Sequence, residues 1–326
     1  MHAASITLLA WAVIGAACLF PVASALPVGS VLALLVAVIG LPHGAADHRF
    51  AQPRLEPRLG AAWGGVFLAG YLAIAGAVVL GWFLAPAATI LVFFLASAWH
   101  FGQEEPDLTP GPRRATWPRL VRLGGRMARG GLVIWVPVAL QTAEVVRILS
   151  LTAPRGSGPE IQRAVDALVV CSWVMLTIAA VDWGRRALAA IAATGRRRRV
   201  LLLDGVLEAS FVSLFAATHP VAGFLVYFCG WHSARGLRRL RRELGESWWQ
   251  LAASLAPLTA VAIGLVALTT FFVLRAPTWN DTLIRATFIG LSAVALPHLV
   301  LHGAGAAIDR AGCRRESRSL ELGGAA

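Results

Sequence analysis

Apolar runs longer than about 18 residues recur along this chain, each long enough to cross the roughly 30 Å hydrocarbon core of a bilayer. Inside hydrocarbon every backbone N–H and C=O needs an internal partner, which leaves only helices and closed barrels. The runs are continuous rather than alternating, so they read as helices. Composition agrees: the 326 residues are 57% hydrophobic and 14% charged, against about 25% charged in soluble domains. The spans fall near 5–21, 28–46, 62–84, 87–102, 129–149, 164–182, 200–217, 220–234, 250–274 and 283–308. The expected fold is an all-α polytopic membrane bundle of about ten transmembrane helices, forming one domain over 1–326.

The formal charge of +12 would suit a nucleic-acid binder, but its distribution excludes that partner. All basic residues are Arg, and they cluster in every second loop: Arg49, Arg54 and Arg58; Arg113 to Arg126; Arg185, Arg186 and Arg196 to Arg199; Arg235 to Arg242; Arg310 to Arg318. The intervening loops hold almost none. Such alternation marks the cytoplasmic side of an inner-membrane protein and places both termini there. The longest cytoplasmic loop is 103–128, and 309–326 is a polar cytoplasmic tail. The N-terminus lacks the basic region of a cleaved signal, so its first apolar run is expected to be retained. Cys18, Cys171, Cys229 and Cys313 show no metal-binding spacing and read as packing residues. Asp204 and Glu208, one turn apart and near Arg196–Arg199, read as surface ion pairs.

The eight histidines are the most informative feature. His43, His100 and His232 stand at the cytoplasmic ends of even-numbered spans. His298 lies in the cytoplasmic half of the last, with His302 one turn further on. A single histidine at membrane depth is ordinarily a hydrogen-bonded packing residue. Four at one depth on four helices point to a metal site, because ionisable groups there are costly and face the bundle interior. Neutral imidazoles suit Fe(II) oxygen chemistry and also zinc, copper and nickel. Asp47 follows His43 by four residues, and Glu104 follows His100 by four. Each carboxylate could therefore accept the second ring N–H of its neighbouring histidine, or be a solvated interfacial charge. His219 precedes His232 by about 20 Å of helix and is expected to cap or turn the chain at the opposite face. Trp99 and Trp231, each directly before a histidine, belong to an interfacial belt or line an apolar substrate cavity.

Four segments resemble the Brp/Blh family of membrane β-carotene 15,15'-dioxygenases: Pro42-His-Gly-Ala-Ala-Asp47; Trp99-His-Phe-Gly102 with Glu104 and Glu105; His219-Pro220 followed by Trp231-His-Ser-Ala-Arg235; and Pro297-His298. The similarity runs in order over nearly the whole chain. It implies an Fe(2+)-dependent enzyme that uses O2 to cleave β-carotene at its central double bond, giving two retinal molecules. It implies that His43, His100 and His232 are iron ligands, and that a retinal-binding opsin could act downstream.

One position departs from the family pattern. Members usually continue Trp-His-Ser-x-Arg with a second His four residues after the first, and here that place holds Gly236. An i, i+4 His pair on one helix is a natural metal grip, so its loss implies a substituted ligand, for which His302 is one candidate, an altered activity, or a protein that is no longer an enzyme. The departure keeps a non-catalytic carotenoid- or retinal-binding protein in view. A desaturase-like di-iron oxidase is less well supported, since only His298 and His302 show His-x-x-x-His spacing. A transporter finds no inverted repeat.

Overall fold

The computed structural model describes residues 28–104, 119–272 and 276–323, with Leu8, Trp11 and Ala12. Most of the expected first span, 5–21, lies outside the described residues, as do His2, Cys18, Glu105 and the side chain of Cys313. The described chain is helical throughout, as obligatory internal hydrogen bonding in an apolar setting requires. α1 (Val28–Leu35) runs through a π-helical stretch, Val36–Gly40, into α2 (Leu41–Ala45) and α3 (Asp47–Leu59). α4 (Trp63–Leu84), α5 (Pro86–Glu104), α6 (Arg119–Gly130), α7 (Leu132–Leu140) and α8 (Thr142–Thr152) follow. α9 (Gly158–Ala192), α10 (Gly195–Ala217) and α11 (Pro220–Leu225) lead into a second π-helical stretch, Val226–Ser233. α12 (Ala234–Leu244), α13 (Trp248–Phe272) and α14 (Trp279–Gly323) complete the chain.

By length and composition, five stretches can cross a membrane: Gly29–Leu84, which joins several helices, then Gly158–Ala192, Gly195–Ala217, Trp248–Phe271 and Trp279–Gly303. The pair Leu132–Leu140 and Thr142–Thr152, bent by 111°, makes a sixth if counted as one. The division into ten differs for identifiable reasons. Two expected spans fall inside Gly29–Leu84. The span at 220–234 is split between α11 and the π-helical stretch, and α5 ends in the polar residues His100, Gln103 and Glu104.

Other expected boundaries also shift. The run 129–149 is not one straight helix, because Gln141 breaks it. The Gln141 side-chain amide donates to the carbonyls of Phe215 and Thr218, at 2.7 and 2.9 Å. Those carbonyls close the end of α10 and have no partner further along that helix, so the sharp turn at Gln141 satisfies them. Part of the loop 103–128 is helix α6, and the tail from 309 continues α14 as far as Gly323.

α14 packs against α1, α4, α5 and α8, and α9 packs against α5 to α8 and α10. α5 and α6 meet backbone to backbone. A Cβ on Gly102 would lie 2.3 Å from the Arg126 carbonyl oxygen, and one on Gly130 would lie 2.1 Å from the Gly102 nitrogen. This contact sits two residues beyond His100. On the facing side, the buried Trp82 indole donates to Ser292 at 2.7 Å, joining α4 to α14.

Asp204 and Glu208 are not a surface pair with Arg196–Arg199. Both reach Arg186, which is 4% exposed and lies within α9 rather than in a loop. Arg186 donates to Asp182 at 3.0 Å, to Asp204 at 2.5 Å and to Glu208. Arg129 adds a second cation 3.4 Å from Asp182. One guanidinium thus ties α9 to α10. Removing one partner of a buried ion pair strands the others, at a cost of about 3–5 kcal/mol. Arg186→Met should therefore lower the thermal midpoint of the purified protein strongly, whereas Arg163→Met, at an exposed site, should leave it nearly unchanged.

Candidate metal centre

Four helical segments converge with one imidazole each: α2 with His43, α5 with His100, the stretch Val226–Ser233 with His232, and α14 with His298. Two of these segments contain or directly follow π-helical turns, which widen the helix and re-aim side chains, often at functional sites. The two π-helical stretches also pack on each other. Gly40 permits this, since a Cβ there would sit 2.8 Å from the Phe228 ring.

The rings form a closed quadrilateral. Ring centres are 5.2 Å apart for His43–His232 and for His100–His232, 4.9 Å for His100–His298 and 5.4 Å for His43–His298. Imidazoles bound to one ion at about 2.0–2.1 Å per nitrogen have neighbouring ring centres roughly 4.5–5 Å apart. The ring-centre spacing here is close to that, although no three of these four rings bring one nitrogen each within 4.8 Å of one another, so their nitrogens stand further apart than in a loaded site. His232 and His298 are buried, and His43 Nε2 is enclosed without a hydrogen-bond partner. A buried ring nitrogen with no partner is costly, and a metal ion would satisfy it.

Asp47 is 2% exposed and binds α14, not its helical neighbour His43. His298 Nδ1 lies 2.7 Å from Asp47 Oδ1, and His302 Nε2 lies 3.4 Å from the same oxygen. The Tyr71 hydroxyl lies 3.2 Å from Asp47 Oδ2 and 3.0 Å from the Val294 carbonyl. Among the described residues, the group of three whose donor atoms all lie within 4.8 Å of one another is Asp47, His298 and His302. We read that trio chiefly as an orienting device. A proton on His298 Nδ1, donated to Asp47, leaves Nε2 as the ring's free ligand atom. The His302 ring lies 4.3 Å from that of His298 and stacks on Phe50 at 4.2 Å.

Glu104 likewise does not orient His100. Its carboxylate meets Arg239 at 3.1 Å, and its carbonyl accepts from Arg235 at 2.5 Å. The nearby guanidinium groups outcompete a neutral imidazole for a carboxylate.

Gly236 faces His43. A Cβ there would be 2.4 Å from His43 Cε1, so the His43 ring occupies the room that a side chain at 236 would need. The fourth imidazole at the quadrilateral comes from His298, not from position 236 and not from His302.

An apolar slot of about 120 Å³ opens from the four histidines. Ser97 is its one other polar wall residue among the described residues. Trp99 and Trp231 are not part of this wall. Adjacent helical positions point about 100° apart, so a residue preceding an inward histidine faces elsewhere. Trp99 is exposed, while Trp231 lies under Arg235, 5.0 Å from its guanidinium. The sequence reading missed the aromatic wall, although its signal was present. Phe93, Phe228 and Leu291 stand one or two turns before His100, His232 and His298, on the same helix faces. Tyr71 carried no such signal, because its contact with Asp47 depends on how α4 packs.

A model of the β-carotene 15,15'-dioxygenase family matches residues 34–304, which include all four histidines. The chain belongs to that family. It is 27% identical over 277 residues to a β-carotene 15,15'-dioxygenase of an uncultured marine bacterium, covering 82% of this chain and 90% of the relative. It is 26% identical over 284 residues to a probable β-carotene 15,15'-dioxygenase Blh of Halobacterium salinarum, covering 81% of this chain and 80% of that one. No solved structure matches significantly.

The His43–Gly236 contact can be tested directly. Gly236→Ala should displace the His43 ring and destabilise the protein by about 1–3 kcal/mol, the usual cost of overpacking. Thermal melts in detergent would measure this, and Gly264→Ala, which has open space around its Cβ position, serves as the control.

Proposed function

We propose that this protein cleaves β-carotene at its central 15,15' double bond with O2, giving two retinal molecules, at an iron centre held by His43, His100, His232 and His298. The observation that carries this is the meeting of four imidazoles, one with an unpartnered nitrogen, at the end of an apolar slot. Family membership supports the substrate and the reaction. Iron(II) bound there would supply O2 activation.

The chain's own residues bind, orient and exclude water. Cleavage breaks one C=C bond and forms two C=O bonds, both oxygens coming from O2, so no proton or further reductant is consumed. A wall of Phe, Leu, Ile and Val suffices for that balance and keeps water from reactive species. Asp47 holds the His298 tautomer, and Tyr71 in turn steadies Asp47. Entry of the polyene from lipid is supported by a second apolar cleft of about 710 Å³ between α1, α13 and α14. It shares Leu41 and Leu291 with the histidine slot. The Arg alternation supports ten spans in the inner membrane with both termini cytoplasmic. Retinal released there would be available to a retinal-binding opsin.

Expression in β-carotene-producing cells should bleach the carotenoid and yield retinal on chromatography; unchanged carotenoid overturns the proposal. Alanine at any one of the four histidines should lower bound iron in the purified protein by roughly tenfold or more. Asp47→Asn should weaken it about 10–100-fold, as loss of an orienting partner does. His219→Ala should keep its iron. A reporter active only in the periplasm, fused after residue 326, should stay silent.

A further inference from the structure

α8 crosses the bundle at the end opposite the histidines. The 111° bend at Gln141 turns it beneath the slot, and polar contacts hold it at two points. Glu144 meets His219 Nε2 at 2.7 Å, while His219 Nδ1 accepts from the Val221 amide and so caps α11. Arg147 pairs with Glu144 at 2.6 Å and lies 4.0 Å from Asp281 at the start of α14. The opposite face of α8 carries Val145, Ile148 and Leu149, at i, i+3 and i+4. All three are buried and line the slot.

The slot therefore has two defined ends. The histidines stand at one. Pro220, beside the His219–Glu144 pair, and the apolar face of α8 stand at the other. His232 and Pro220 lie on one continuous helical segment, twelve residues apart, and His298 and Phe288 are ten apart on α14. At about 1.5 Å per residue the α14 separation is roughly 15 Å, and the other stays below about 18 Å because its π-helical turns rise less per residue. One arm of β-carotene, from the central bond to the far edge of its ring, spans roughly 15 Å, the length of about ten helical residues.

We infer that α8 is the floor of a measuring slot, and that Val145, Ile148 and Leu149 select which double bond of the polyene reaches the histidines. This rests on the carotenoid-cleavage proposal and deepens it: central cleavage would follow from slot depth, not from recognition of the molecule's symmetry. Hydrophobic contact with a floor is non-directional, so depth is the one property by which such a wall can choose among similar bonds.

The experiment combines two floor variants with one change of substrate. Val145→Leu raises the floor and Ile148→Ala lowers it. Each should convert β-carotene into apocarotenals of unequal length, with opposite displacement of the cut, while bound iron stays at the wild-type level. Either variant alone decides the matter if the other fails to fold. The unaltered protein supplies an independent measure, using a polyene aldehyde that keeps one β-ring and lacks the other. A floor predicts a cut at the same distance from the remaining ring, and so retinal again. Retinal as the sole product from both folded variants, or a cut that moves to the new midpoint of the shortened polyene, overturns the floor. If the unaltered protein cleaves no carotenoid at all, the parent proposal fails and the floor fails with it. Cleavage without any shift fails the floor alone.

Discussion

Polar side chains inside an apolar bundle must find partners there, because the cost of an unpaired polar group in that setting is several kcal/mol. This requirement organises the protein. It draws Asp182, Asp204 and Glu208 onto Arg186, turns the chain at Gln141 so that its amide reaches the end of α10, and pulls Asp47 across to α14. The first locks two consecutive helices and the other two join elements distant in sequence, and together they fix the rotation of the helices about their axes.

The same requirement singles out the site. Among the described residues, His43 Nε2 is the one imidazole nitrogen that is enclosed without a hydrogen-bond partner. Four rings from four segments stand 4.9–5.4 Å from their neighbours in a closed set, and a hydrogen bond orients one of them. The Asp47–Tyr71–His298 chain does this, since a carboxylate that holds one ring nitrogen dictates which nitrogen remains to bind a metal. Without such a chain the imidazole would be free to present either nitrogen.

Position 236 shows how one motif position can lack a side chain while four imidazoles still converge. Glycine there leaves space that the His43 ring fills, and His298 closes the quadrilateral from α14. Close packing makes the two features interdependent. A bulkier residue at 236 would have to push His43 off its place, so the glycine and the ring position are one arrangement.

Depth and identity were legible in the sequence. The length of the apolar runs dictates helices, a rise per residue dictates that His43, His100, His232 and His298 stand at one level, and the same arithmetic sets His219 at the other. The motifs around those histidines placed the family, because side chains that meet a shared chemistry recur in fixed local spacing. Rotation and partner choice were not legible. Which carboxylate orients which histidine, whether His298 or His302 joins the others, that Trp99 faces outward while Trp231 packs on Phe211, and that 129–149 folds under the slot all depend on contacts between helices far apart in the chain. A π-helical turn shifts every later side chain around the axis, and a single Gln bends a span, yet neither leaves a periodic trace in the sequence. Local spacing determines where along a helix a residue lies; only packing against the other helices decides what it faces.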